Sequence, residues 1–201
     1  MNGGTLSSLV TLTNAISNNF TVGGNTAIGG GSAMIFSGTG NIGSTRTLTV
    51  SNTAATTFNG SLSGAGNITK SGSSTMTLAG NNSSYSGATT INGGVVAVSN
   101  NNGLGSSAAT INSGGTLTLA GVTLSSNAIT LNSGILNSTG TSVLGGAITL
   151  VTSSTSNINV GTSGLFTINN NINGAGNVTL GRTDGSTGSF VFNGEVGNTT
   201  A

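Results

Sequence analysis

Five side chains in this 201-residue chain carry charge: Arg46, Lys70, Arg182, Asp184 and Glu195. They are the starting stock for any acid–base or electrostatic chemistry. Histidine and cysteine are absent, so neither a Ser–His nor a Cys–His nucleophile can be assembled. Thiolate and imidazole metal sites are ruled out for the same reason. Glycoside cleavage takes two carboxylates across one bond. The two carboxylates, Asp184 and Glu195, stand about half a 20-residue repeat apart and are not expected to converge. No enzymatic activity, metal or cofactor is therefore expected. Arg182 and Asp184 read as a solvated pair in a Gly-rich turn, worth under about 1 kcal/mol. Lys70 is expected on the outside, its stem lying along a sheet.

Several lesser motifs carry no chemistry. A calcium-binding β-roll needs an aspartate in every short repeat, and the chain holds one. Gly-x-Gly at 64–66 lacks the helix and the Lys-Ser/Thr pair of a phosphate loop. Asn19-Phe20-Thr21 matches a glycosylation sequon, as chance alone provides in an Asn- and Thr-rich chain. Net charge is +1, which offers no basic cluster for nucleic acid. No apolar run reaches membrane-spanning length. Met1-Asn2-Gly3-Gly4 has no signal-peptide pattern.

What the sequence does hold is a repeat. Thr89-Thr90-Ile91-Asn92 is echoed by Ala109-Thr110-Ile111-Asn112, Ile129-Thr130-Leu131-Asn132, Ile148-Thr149-Leu150 and Phe166-Thr167-Ile168-Asn169. The anchors Ile91, Ile111, Leu131, Leu150 and Ile168 recur at 20, 20, 19 and 18 residues. A second row, Phe36, Phe58, Leu78, Val98 and Leu119, recurs at 22, 20, 20 and 21. Between the anchors run short alternating segments: 47–50, 75–78, 95–98 and 116–119. Alternation at period two is a strand signature, and Thr, Val and Ile favour strands. Gly-, Asn- and Ser-rich stretches such as 99–105 separate them as turns.

A period near 20 with about three short strands predicts an all-β, parallel solenoid, one coil per repeat. About ten coils at ~4.8 Å give a rod of about 48 Å. Outward Thr and Ser, with Asn near the turns, are expected to stack into hydrogen-bonded ladders. An antiparallel sandwich would not impose a 20-residue recurrence and would normally guard its edges with Pro and charge. The chain has no proline.

The stretch GAGNITKSGSSTMTLAGNNSSYSGATTINGGVVAV, residues 64–98, resembles the autotransporter-associated β-strand repeat, also called the passenger-associated transport repeat. The resemblance rests on Gly64, Gly66, Ile68, Lys70, Gly72, Thr75, Leu78 and Gly80. It continues through Asn82, Tyr85, Gly87, Thr89, Ile91, Gly94, Val96 and Val98. Gly174-Ala175-Gly176-Asn177-Val178 repeats the opening, with Leu180 in the place of Lys70, and Gly38-Thr39-Gly40-Asn41-Ile42 echoes it again. The usual Gly-Thr-Leu ending comes one coil late, at 115–117.

That resemblance implies a right-handed β-helix on the surface of a Gram-negative-type cell. Its repeat would help the passenger fold as it leaves through an outer-membrane translocator barrel, which this sequence does not show. Residues 1–201 are then one solenoid, a segment of a longer passenger. Alternatives are an adhesin for surface glycans or proteins, and ice binding. Thr-x-Thr at 11–13, 47–49, 75–77 and 116–118 suggests the latter, but gaps of 36, 28 and 41 do not place those triplets in one file. Self-association through uncapped ends or edges is a further expectation.

Overall fold

A computed structural model of the chain describes residues 1–8, 10, 14–161, 163–183 and 187–197. Asp184, Thr11 and Thr13 lie outside them, so the Arg182–Asp184 pair and the first Thr-x-Thr triplet have no structural account.

The described residues form strands and turns, with no helix among them. The chain winds through three faces in a fixed order. The first face is a nine-stranded sheet running from Asn2–Ser8 to Ile172–Gly174. The second is an eight-stranded sheet from Met34–Phe36 to Asn177–Arg182. The third is divided. Phe20–Val22, Gly40–Ile42 and Leu62–Ser63 form one part. Thr123–Leu124, Ser142–Leu144, Leu165–Ile168 and Ser189–Phe192 form the other.

Each strand pairs in parallel with the strand one coil away; on the first face Thr90 stands beside Thr110 and Thr110 beside Thr130. Parallel strands must be joined by a crossover, and here the other two faces are that crossover. An isolated antiparallel bridge, Asn112 to Ser133, sits at a corner.

Two interior files dominate the core. On the second face Phe36, Phe58, Leu78, Val98, Leu119, Ser138 and Val160 stand one above another. The first five are the predicted row. On the first face the file runs Ile28, Val50, Lys70, Ile91, Ile111, Leu131, Leu150. Ile168 does not continue it. The residue beside Leu150 is Gly174, 24 positions on, and Ile168 packs on the third face between Leu144 and Phe192. The coil lengthens at this point, so a fixed step of about 20 lands on the wrong face. First-face pairs are also 22 apart at Asn2 and Gly24. Longer coils explain nine first-face rungs where a uniform repeat predicts about ten.

The aromatic rings stack near the two ends. Phe36 and Phe58 stack at 5.1 Å, with Phe20 5.5 Å from Phe36. At the far end Phe190 stacks on Phe192 at 5.7 Å and lies 6.2 Å from Phe166. The coils between are filled mainly by Leu, Ile, Val and Met.

Candidate functional site

Among the described residues, the third face has no strand between Ser63 and Thr123. Two coils there need another wall. In the first of them the segment that resembles the transport repeat supplies the buried side chains of Asn82 and Tyr85 in place of a strand, and in the second Leu104 is buried.

Tyr85 is the largest of them and is fully buried. Its backbone bridges Gly64 in the coil before: Gly64 N–H donates to Ser84 O (3.1 Å) and Ser86 N–H to Gly64 O (2.9 Å). Its hydroxyl donates to Ala88 O at 3.1 Å. Burial pushes the phenol up to about 12, against the opposing pull of the Thr89 side chain and the Ile68 backbone.

Asn82 is buried beside it and ties three coils together. Its Oδ1 accepts from Leu62 N–H at 2.7 Å, and its Nδ2 donates to Gly103 O at 2.7 Å. An amide is suited to this, because it donates and accepts at once. Asn127, in a later coil, donates twice to the coil before it, to Gly105 O (3.0 Å) and Ser107 O (2.8 Å).

Lys70 overturns the expectation of an outward side chain. It is fully buried, between Val50 and Ile91 in the first-face file. Its ammonium donates to Gly72 O. Burial pulls the amine below its ordinary value of 10.5. The physical reason is parity. In Asn67–Lys70, Ile68 and Lys70 point the same way, and Ile68 must face the core.

The glycines of the segment mark where successive coils touch. A Cβ on Gly87 would stand 1.8 Å from Gly66 O, on Gly80 2.3 Å from Gly60 O, and on Gly72 2.4 Å from Asn52 O. Gly64, Gly66 and Gly94 are equally crowded, at 2.2, 2.3 and 2.3 Å from Ile42 O, Gly43 O and Gly72 O. Leu78, Ile91 and Val98 are core residues, Thr89 faces inward, and Thr75 stands half-exposed beside Val95. The pattern is thus a packing device: buried anchors, corner glycines and a tyrosine–asparagine wall.

Residues 68–98 match the family model of the passenger-associated-transport-repeat. The match begins at Ile68 and ends at Val98, so it covers Lys70, Asn82 and Tyr85 and leaves Gly64 and Gly66 outside. No curated protein and no solved structure matches the chain.

The remaining described charged groups do not gather around the repeat. Arg46 is exposed at a corner, and Arg182 Nε donates to Gly188 O at 2.8 Å near the last coil. Glu195 is exposed, its N–H donating to Asn171 Oδ1. Two cavities lie at opposite ends of the solenoid. One, of about 340 Å³, is lined by Met1, Leu6, Ile16, Phe20 and Phe36. The other, of about 280 Å³, is lined by Leu150, Ile172, Val178 and Val196. Both are places where, among the described residues, core side chains lack a covering coil.

Sequence reasoning finds the repeat residues but misses Asn127 and the inward hydroxyls. Thr56, Ser138, Ser142 and Ser156 are all buried. Their parity with neighbouring anchors is the available signal.

Proposed function

We propose that this chain is a structural, non-enzymatic passenger segment of a surface-displayed or secreted autotransporter-like protein. The match at 68–98 supports a passenger-like role. The observation that carries the structural reading is that the matched residues are spent on holding coils together. Lys70, Asn82 and Tyr85 are buried and bonded to backbone carbonyls or amides, none presented to a ligand. In this reading the repeat gives the emerging chain a coil that closes on its predecessor, and the rest of the solenoid is laid down upon it.

The test is surface display. The chain is fused between a secretion signal and an outer-membrane translocator, and exposure is read by protease accessibility on intact cells. Wild type should reach the surface folded. Asn82→Ala should lower display several-fold, whereas the outward substitution Thr118→Ala should not. Undiminished display of folded Asn82→Ala would overturn the role given to the repeat.

A further inference from the structure

The outer surface of the first face carries an array that the repeat does not explain. Thr49, Thr69, Thr90, Thr110, Thr130 and Thr149 stand beside one another on consecutive rungs, facing away from the core. The Thr-x-Thr triplets do not make this file. Thr47–Val50 belongs to the first face, while Thr75–Leu78 and Gly115–Ala120 belong to the second. The file arises from one threonine per coil.

From Thr90 onward it is flanked by further regular files. Two residues earlier stand Ala88, Ala108, Ala128 and Ala147, in the register that pairs Thr89 with Ala109, Ala109 with Ile129, and Ile129 with Ile148. Two residues later stand Asn92, Asn112 and Asn132. Asn112 Nδ2 donates to Asn92 Oδ1 (2.7 Å) and Asn132 Nδ2 to Asn112 Oδ1 (2.9 Å), which fixes all three amides. The result is a grid of methyls, hydroxyls and amides, repeating every ~4.8 Å along the axis and about 6.6 Å along each strand. Within the strands of these rungs no charged side chain projects outward, since Lys70 points inward, and Arg46 stands at the corner before Thr47.

Such a surface selects its ligand by what it lacks. Protein partners are usually anchored by Trp, Tyr or Arg, and the grid has none of them. It also offers no aromatic platform of the kind that packs against apolar surface. Its small side chains cannot reach into a pocket. They can meet a ligand that is itself flat, uncharged, rigid and periodic on the same scale. Ordered water is such a ligand: hydroxyls and amides can replace its hydrogen bonds, and methyls can sit among water molecules that keep their own. Because the grid is fixed by backbone pairing and the amide ladder, little ordering cost remains on the protein side.

We propose that the threonine-centred outer surface of the first face binds ice. This inference is independent of the passenger role, because it uses the outward residues and that role uses the inward ones.

The experiment measures thermal hysteresis and partition of the whole chain into a slowly growing ice front. Thr110→Tyr and Ala108→Tyr each place a bulky ring in the grid. Thr118→Tyr, on the second face, is the control. Circular dichroism melts establish that each variant is folded, and two independent grid variants guard against one failing to fold. Wild type should slow ice growth and enter the ice. A folded grid variant should lose about ten-fold or more of that activity, with Thr118→Tyr unchanged. Absence of activity in wild type, or equal loss in the control, would overturn the proposal. So would retention on insoluble polysaccharide that the grid variants abolish, without any effect on ice.

Discussion

The Lys70 ammonium donates to the carbonyl oxygen of Gly72 from inside the coil, in a file otherwise filled by aliphatic side chains. Because burial lowers the Lys70 amine, the folded chain releases that proton before the unfolded chain does. From that lowered value up to 10.5 the unfolded state binds more protons, so stability rises with pH. Tyr85 acts with the opposite sign. An unfolded tyrosine ionises near 10.0, while the buried one holds its proton up to about 12. Stability therefore falls between those values, by on the order of 2–3 kcal/mol. Urea midpoints should climb to about pH 10 and decline above it. Lys70→Met should remove the climb and Tyr85→Phe the decline. A profile flat across the range would contradict both assignments.

Asn82 joins Leu62 N–H and Gly103 O through one buried amide. Asn82→Ala strands both groups and should cost about 2–4 kcal/mol. Asn82→Asp keeps the acceptor, loses the donor and adds a buried charge, so it should be worse at neutral pH. Denaturant titration should give the order wild type, then Ala, then Asp. An Asp variant as stable as wild type would show that this amide does not link the coils.

Two glycines separate crowding from conformation. Gly87 has no room: its Cβ would meet Gly66 O at 1.8 Å. Gly87→Ala should cost about 3 kcal/mol or more, since backbone has to move. Gly121 has open space but φ of +66°. Gly121→Ala should cost only about 1–2 kcal/mol, the left-handed penalty alone. Thermal melts of the two variants should differ clearly, and equal losses would refute the distinction.

Ser138 occupies a fully buried place between Leu119 and Val160, and its hydroxyl has no hydrogen-bond partner. Ser138→Ala should raise stability by about 1 kcal/mol, because a stranded hydroxyl is removed. A loss of stability on this substitution would mean that the hydroxyl is satisfied in solution.

At the far end Leu180 follows Ile158 and Val196 follows Ile172 in core-facing register, yet both are exposed, by 45% and 54%. Among the described residues they are interior positions without a covering coil. End-to-end association of this chain is the expected consequence. Sedimentation at rising concentration should show it, and Leu180→Lys with Val196→Lys should weaken it. A monomer at every concentration would sink this expectation.

The recurrence of Phe36, Phe58, Leu78, Val98 and Leu119 makes the second-face file legible, because aliphatic and aromatic side chains return at near-constant steps. Ile168 escapes that logic because coil length is not constant and a Thr-Ile-Asn triplet looks the same on two faces. At Lys70 charge and parity point in opposite directions, and the alternation of the strand decides for the interior. The threonine file is half legible, because Thr90, Thr110, Thr130 and Thr149 each precede an anchor of the repeat, whereas Thr49 and Thr69 join it only through the lateral register of the closed coils.

Each first-face strand finds its partner one coil away, as Thr90 finds Thr110. The separation is 20 residues in a chain of 201, about a tenth of its length. Such a low relative contact order belongs with fast-folding topologies rather than with ordinary β proteins. A growing solenoid can therefore acquire structure from one end while the remainder is still extended, and at each moment the search extends only to the rung just completed.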